Sequence, residues 1–243
     1  ELLDYDGTGV SIMEHSHRGA AYDAVHNQAL ARLRTLLAVP ESHAVFFTQG
    51  GASGMFASLP MNFLPRGQSA DYAVTGTWSD KAMKEAARWS KGRAVCDGRR
   101  DGAFVSIPKV ADWDLDAEAA YVHITSNNTI AGTQFAEMPS VERPLVVDAS
   151  SDVLSRPVDW SRVQMLYAGA QKNLGPSGVT LGVVDRSWLA TASEEIPLIV
   201  RYATQVVKNS LFHTPPTFAI YLVNLVLGWI EKQCGLSAML ARN

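Results

Sequence analysis

Met165-Leu-Tyr-Ala-Gly-Ala-Gln-Lys172-Asn-Leu-Gly-Pro-Ser-Gly178 delivers a single lysine out of a short apolar run into a glycine-rich turn. A lysine at the end of such a run must lose its charge or find a partner, because burial disfavours the ammonium form. A partly neutral amine attacks aldehydes to give a Schiff base, so the stretch reads either as a catalytic lysine or as a surface lysine in a turn. What favours catalysis lies 24 residues upstream, in Leu145-Val-Val-Asp148-Ala-Ser-Ser, a hydrophobic strand that ends in an aspartate. Pyridoxal phosphate (PLP) is the usual aldehyde, and it needs a carboxylate to keep its pyridine nitrogen protonated. Lys172 and Asp148 together predict PLP chemistry.

The rest of the chain suits that reading. With 243 residues, 47% hydrophobic and 19% charged, it has the material for one large core. Its net charge is −3, without a basic cluster, so nucleic acid is not an expected partner. Cys96 and Cys234 are isolated and show neither metal-ligand nor redox spacing, which suits a reducing cytoplasm. The first residues do not read as a signal peptide, and the apolar stretch Phe218 to Ile230 is too short to span a bilayer. No membrane association is expected.

Gly7 to Gly19, with His15, His17 and Arg18, reads as a polar loop before a helix from about Ala20 to Leu37. His17 and Arg18 suit anion binding better than a metal, since no third ligand is near in sequence. Ala44-Val-Phe-Phe-Thr-Gln-Gly50-Gly51-Ala52-Ser53-Gly54 is a strand entering a glycine-rich turn, with a helix expected near Met55. Such a joint is either a plain turn or a phosphate cradle made of helix N–H groups. Asp71 to Trp78 reads as a strand ending at an indole, placed either to stack on a flat cofactor or to pack, with Ser79-Asp80 capping the next helix. Tyr121 to Gly132 repeats the pattern and presents Thr129 as a hydrogen-bond donor or as simple turn chemistry. Strands near Val45, Ala73, Ala94, Val122, Val146, Leu166 and Val179 alternate with helices or loops, which predicts an α/β sheet, mostly parallel, with polar residues at the strand ends. Two prolines, Pro215 and Pro216, lead into a helix from Phe218 to Lys232 with Thr217 as N-cap, and Leu236 to Asn243 starts another.

Seven motifs in order then carry a resemblance: Met13-Glu-His-Ser-His-Arg-Gly, Gln49-Gly-Gly-Ala-Ser-Gly-Met-Phe, Thr75-Gly-Thr-Trp-Ser, Asn127-Asn-Thr-Ile-Ala-Gly, Val147-Asp-Ala-Ser-Ser, Gly169-Ala-Gln-Lys-Asn and Leu211-Phe-His-Thr-Pro-Pro-Thr-Phe. The chain resembles the phosphoserine aminotransferases, of the class V branch of fold type I PLP-dependent enzymes. That resemblance implies the large domain of a fold type I transferase over residues 1–234 and the start of a small domain at 235–243, with an N-terminal arm and the remainder of the small domain absent from this sequence. It implies a PLP aminotransferase of L-serine biosynthesis, exchanging the amino group between glutamate and 3-phosphohydroxypyruvate to give phosphoserine and 2-oxoglutarate. Its nearest alternatives are an alanine/glyoxylate-type enzyme of the same class, or a dimeric PLP-binding core without turnover.

Position by position, the resemblance makes Lys172 the residue that carries PLP and Asp148 the partner of its ring nitrogen. Trp78 stacks on the ring, Thr129 bonds its polar edge, and Ala52, Ser53 and Gln171 hold its phosphate. A homodimer with shared sites is implied, in which His213 and Thr214 reach the phosphate from the neighbouring subunit and His17 and Arg18 bind the substrate anion. Three residues depart from the family pattern: His213 stands where the family has asparagine, and His15 and Asn128 also differ.

Overall fold

The computed structural model describes all 243 residues. Seven strands form one sheet: β1 (His43–Thr48), β2 (Ser69–Val74), β3 (Lys91–Asp97), β4 (Val122–Thr125), β5 (Leu145–Asp148), β6 (Met165–Gly169) and β7 (Thr180–Asp185). Their order across the sheet is β1-β7-β6-β5-β4-β2-β3. Only β7 runs against its neighbours, so the expected mostly parallel α/β sheet is what the chain forms. Each expected strand is present, the last beginning at Thr180, one residue after Val179.

Successive side chains of a strand point to opposite faces, and this alternation sorts the core. Val122, Ile124, Leu145, Val147, Leu166, Ala168, Leu181 and Val183 belong to the cluster that contains residues of α1 (Ala20–Leu36) and α6 (Thr217–Lys232). Tyr72, Val146, Met165, Tyr167 and Val184 pack instead with α2 (Gly51–Phe63) and α3 (Thr77–Trp89). The same parity puts Asp148, two residues beyond Val146, on the α2 and α3 face. Helices α1 and α6 are tied by Arg32, which donates to Asn224 Oδ1 at 2.8 Å and pairs with Glu231 at 3.0 Å. Three shorter helices complete the fold: α4 (Arg186–Leu189), α5 (Tyr202–Val207) and α7 (Gly235–Arg242). None is long and apolar enough to cross a membrane.

Several local expectations are corrected. Strand β2 stops at Val74, and Trp78 lies in the first turn of α3 rather than at a strand end. Ser79 is therefore inside the helix, its Oγ accepting the Thr75 and Gly76 N–H groups at 3.0 Å instead of capping from outside. Helix α2 starts at Gly51, not near Met55, because Gly50 adopts the left-handed conformation and turns the chain at once. Thr217 is the first helical residue of α6, and Pro216 holds the cap position.

Gly182 faces Phe46 across β1 and Tyr167 across β6. A Cβ at Gly182 would meet Phe46 Cζ at 2.3 Å, so the bare Cα is what lets the fully buried Phe46 ring lie over the sheet. Gly182→Ala is expected to cost about 1–3 kcal/mol through overpacking, and much less in a Phe46→Ala background. Urea unfolding of the four proteins checks this; an equal cost in both backgrounds would contradict it.

Candidate active site

Because β1, β2, β4, β5 and β6 run the same way, their carboxyl ends share one edge. At that edge Gly50, Gly51, Ala52, Ser53, Trp78, Thr125, Asn127, Asp148, Ser150, Ser151, Gln171 and Lys172 line one cleft. The strand ends contribute different parts: the glycine turn into α2 after β1, the first turn of α3 after β2, and Asp148 itself as the last residue of β5. A much larger cavity, about 840 Å³, lies elsewhere, among Phe63, Arg66, Trp89, Arg143 and Trp188 at the start of the strands. Size does not mark the site here. The smaller cleft gathers the reactive amine and the buried acid.

Asp148 is buried, and its carboxyl is pushed up to about 6 by desolvation, against the pull of Ser150 and of the Lys172 charge. The Ser150 N–H and hydroxyl both donate to Asp148 Oδ1, at 3.0 and 2.6 Å. Lys172 stands in the turn after β6, which ends three residues earlier at Gly169. Its side chain is exposed in the single chain, which corrects the expectation of a lysine desolvated by its own strand. Ala170 turns the backbone out of the sheet, its carbonyl accepting from the Leu174 and Gly175 N–H groups. Lys172 Nζ donates to Thr129 Oγ1 at 3.2 Å and sits 4.9 Å above the Trp78 ring, whose Nε1 donates to the same hydroxyl at 3.3 Å. Amine, hydroxyl and indole thus form one cluster over the cleft.

One wall of the cleft is a cradle built from main chain. No side chain caps α2, so its first N–H groups, at Ala52 and Ser53, face the cleft with the positive end of the helix dipole behind them. A Cβ at Gly169 would lie 3.1 Å from the Ala52 nitrogen and 2.8 Å from Gln171 Oε1. Only glycine lets the end of β6 approach that cradle.

Six of the expected site residues (Ala52, Ser53, Trp78, Asp148, Gln171 and Lys172) line the cleft, and Thr129 joins them through its bonds. His17, Arg18, His213 and Thr214 do not line it within one chain. His213 is bonded to the Gln49 side chain beside the α2 turn, with its Nδ1 buried and unpartnered, while Thr214 is exposed. His17 Nε2 is likewise buried without a partner. Sequence reasoning missed Thr125, Ser150 and Ser151. Thr125 is legible only through register, since it pairs with Asp148 across β4 and β5 and so shares its face.

The Aminotransferase class-V family model matches residues 1–243. The phosphoserine aminotransferase of Niallia circulans is 49% identical over 244 residues, which cover 100% of this chain and 67% of that protein. That of Bacillus subtilis (strain 168) is 45% identical, with 100% and 67% covered. Among solved structures, phosphoserine aminotransferase from Bacillus circulans subsp. alkalophilus superposes with a TM-score of 0.95 at 48% identity, over 100% of this chain and 67% of that one. The PLP-bound enzyme from Trichomonas vaginalis gives 0.94 at 38% identity, with 99% and 72% covered. An alanine–glyoxylate aminotransferase from Nostoc sp., at 18% identity and a TM-score of 0.76, shares the fold alone. The chain belongs to the class-V aminotransferase family. Its relatives at 45–50% identity are the phosphoserine aminotransferases, PLP-dependent transaminases whose length it spans by about two thirds.

The cleft fits PLP on its own chemistry. It offers a primary amine, a buried carboxylate, an uncapped helix N-terminus for a phosphate, an indole face, and a buried Thr125 hydroxyl that has no partner within the chain.

One consequence is readable without ligand. A raised carboxyl pKa means that the folded chain holds a proton which the unfolded chain has lost between pH 4 and 6. The Asp148 contribution to stability therefore falls as pH rises through that window. Asp148→Asn removes the titration, so relative to the wild type it gains about 3 kcal/mol between pH 4 and pH 7, two pKa units of difference. Thermal unfolding of both proteins across that range tests this, and a constant difference would contradict it.

Proposed function

We propose that the chain is the cofactor-binding part of a cytoplasmic phosphoserine aminotransferase of L-serine biosynthesis, transferring the amino group of glutamate to 3-phosphohydroxypyruvate. The observation that carries this reading is the meeting, in one cleft, of the Lys172 amine, the buried Asp148 carboxylate and the uncapped start of α2. Support for phosphoserine as the substrate comes from 45–50% identity to enzymes of that name over the whole chain. Two unpaired thiols, Cys96 and Cys234, suit a reducing compartment.

When bound, PLP supplies an aldehyde for a primary amine and a protonated ring that draws electrons from the substrate α-carbon. Asp148 would hold the proton on the ring nitrogen, since an ionised carboxylate in a desolvated place needs a cationic partner. Lys172 Nζ, held by the Thr129 hydroxyl, would be the general base that takes the proton from the substrate α-carbon and delivers it to the carbon on the far side of the transferred nitrogen. Trp78 forms the flat apolar wall, and Ala52, Ser53 and Gln171 receive the phosphate.

His17, Arg18, His213 and Thr214 act in a homodimer, across the interface, on the substrate anion and the cofactor phosphate. Their position outside the cleft of a single chain supports this, and Arg18, exposed at the start of α1, supplies a permanently charged fork for a carboxylate or phosphate. Residues 1–234 form the large domain and 235–243 open a second one. The left-handed backbone at Cys234 and Gly235, which breaks α6 from α7, supports that boundary.

The test is a product assay on the purified protein with PLP, glutamate and 3-phosphohydroxypyruvate. Phosphoserine should accumulate, and Lys172→Ala should slow it by about 10²–10⁴-fold, the usual contribution of a positioned acid–base group. Turnover of alanine with glyoxylate, but not of this pair, would overturn the substrate assignment. PLP binding without either turnover would leave a cofactor-binding core.

A further inference from the structure

We propose that Ser150 is a positioning residue that joins the Asp148 carboxylate to the end of strand β6, so that the acid and the turn carrying Lys172 are held as one unit. Its consequence for the cofactor rests on the PLP reading above. Its structural half does not.

Ser150 is buried, and its hydroxyl has two neighbours. It donates to Asp148 Oδ1 at 2.6 Å and accepts the Gly169 N–H at 2.9 Å. The direction of both bonds is forced. A main-chain N–H only donates and an ionised carboxylate only accepts, so the hydroxyl proton lies toward Asp148. The result is a relay from peptide N–H to hydroxyl to carboxylate, in which each bond polarises the next. The Ser150 N–H adds a second donor to the same carboxylate oxygen at 3.0 Å. Against the desolvation that pushes the Asp148 carboxyl up, the Ser150 side chain is the largest opposing influence.

Gly169 gives the relay its reach. Its N–H ends the chain of bonds, and its bare Cα packs against the Ala52 nitrogen and the Gln171 amide in the anion cradle. Lys172 stands three residues later. One peptide at the end of β6 therefore fixes the spacing between the acid and the cradle, and Ser150 is the side chain that fastens it. No other side chain in the structure hydrogen-bonds the Asp148 carboxylate. An alanine at position 150 would strip one donor from the acid and leave the Gly169 N–H buried without an acceptor.

The experiment uses Ser150→Ala and Ser150→Thr, the second keeping the hydroxyl. In the cofactor-free protein, the Asp148 carboxyl is titrated by carbon NMR, its signal assigned by its loss in Asp148→Asn. Ser150→Ala should raise the midpoint by about one unit, a tenfold change in proton affinity, and Ser150→Thr should restore it to within a few tenths. Binding is then measured for PLP and for 1-deazapyridoxal phosphate, which lacks the ring nitrogen. Ser150→Ala should weaken PLP about tenfold and leave the deaza analogue unchanged, because only PLP depends on the acid. An unmoved midpoint, no recovery in Ser150→Thr, or an equal loss for both ligands would overturn the proposal, the last by showing a merely structural role. If the wild type binds neither ligand, the PLP reading fails while the NMR titration still decides the role of Ser150. Should Ser150→Ala not fold, Ser150→Cys, similar in shape and a weaker donor, is read in its place with the same direction expected.

Discussion

A carboxylate on the last residue of a buried parallel strand has little water to solvate it, and Asp148 meets that constraint with two donors from Ser150 on a single oxygen. Burial still dominates and holds its proton affinity well above that of a free aspartate. A site in that state favours a cation. The remaining features of the cleft, an amine on the next strand's turn and an uncapped helix start, are arranged around the same strand end.

The fold puts them there through parity and direction. Parallel strands bring their carboxyl ends to one edge, and alternation along β5 sends Leu145 and Val147 to the α1 and α6 side while Val146 and Asp148 face α2 and α3. The helix whose uncapped N-terminus opens on the cleft is thus on the same face as the acid. Strand β7, the one antiparallel member, lies between β1 and β6, so β1 runs in the common direction and the α2 turn at its end comes next to Gly169. Close approach at two glycines, Gly182 beneath Phe46 and Gly169 beside the cradle, makes this geometry possible.

Much of this was legible in the sequence, since apolar runs punctuated by Gly, Asn and Asp mark both the strands and their ligand-bearing ends. The Leu145 to Asp148 strand and the Gln171-Lys172 turn read directly, because the signal is local. What escaped was non-local or depended on where a turn begins. Trp78 looks like the end of an apolar strand, but Gly76 breaks the run and the indole is carried by a helix. Lys172 looks buried from its apolar approach, yet the turn at Ala170 swings it outward. Thr125 belongs to none of the seven motifs, and Ser150, although inside Val147-Asp-Ala-Ser-Ser, carries no sign of its own of a role. Their roles come from register with Asp148 and from a bond to Gly169, neither of which a linear reading contains. The residues at His17, Arg18, His213 and Thr214 came from resemblance, and within one chain they stand outside the cleft.

The central claim is that the Lys172 amine and the Asp148 carboxylate form one PLP site. The most direct measurement is the visible absorbance of the purified protein with added PLP, in wild type and Lys172→Ala. The account predicts a visible band that requires Lys172 and fades when glutamate is added, because transfer of glutamate's amino group with release of 2-oxoglutarate would leave the cofactor as an amine without the conjugated C=N. Absence of the band, or an equal band in Lys172→Ala, would contradict it.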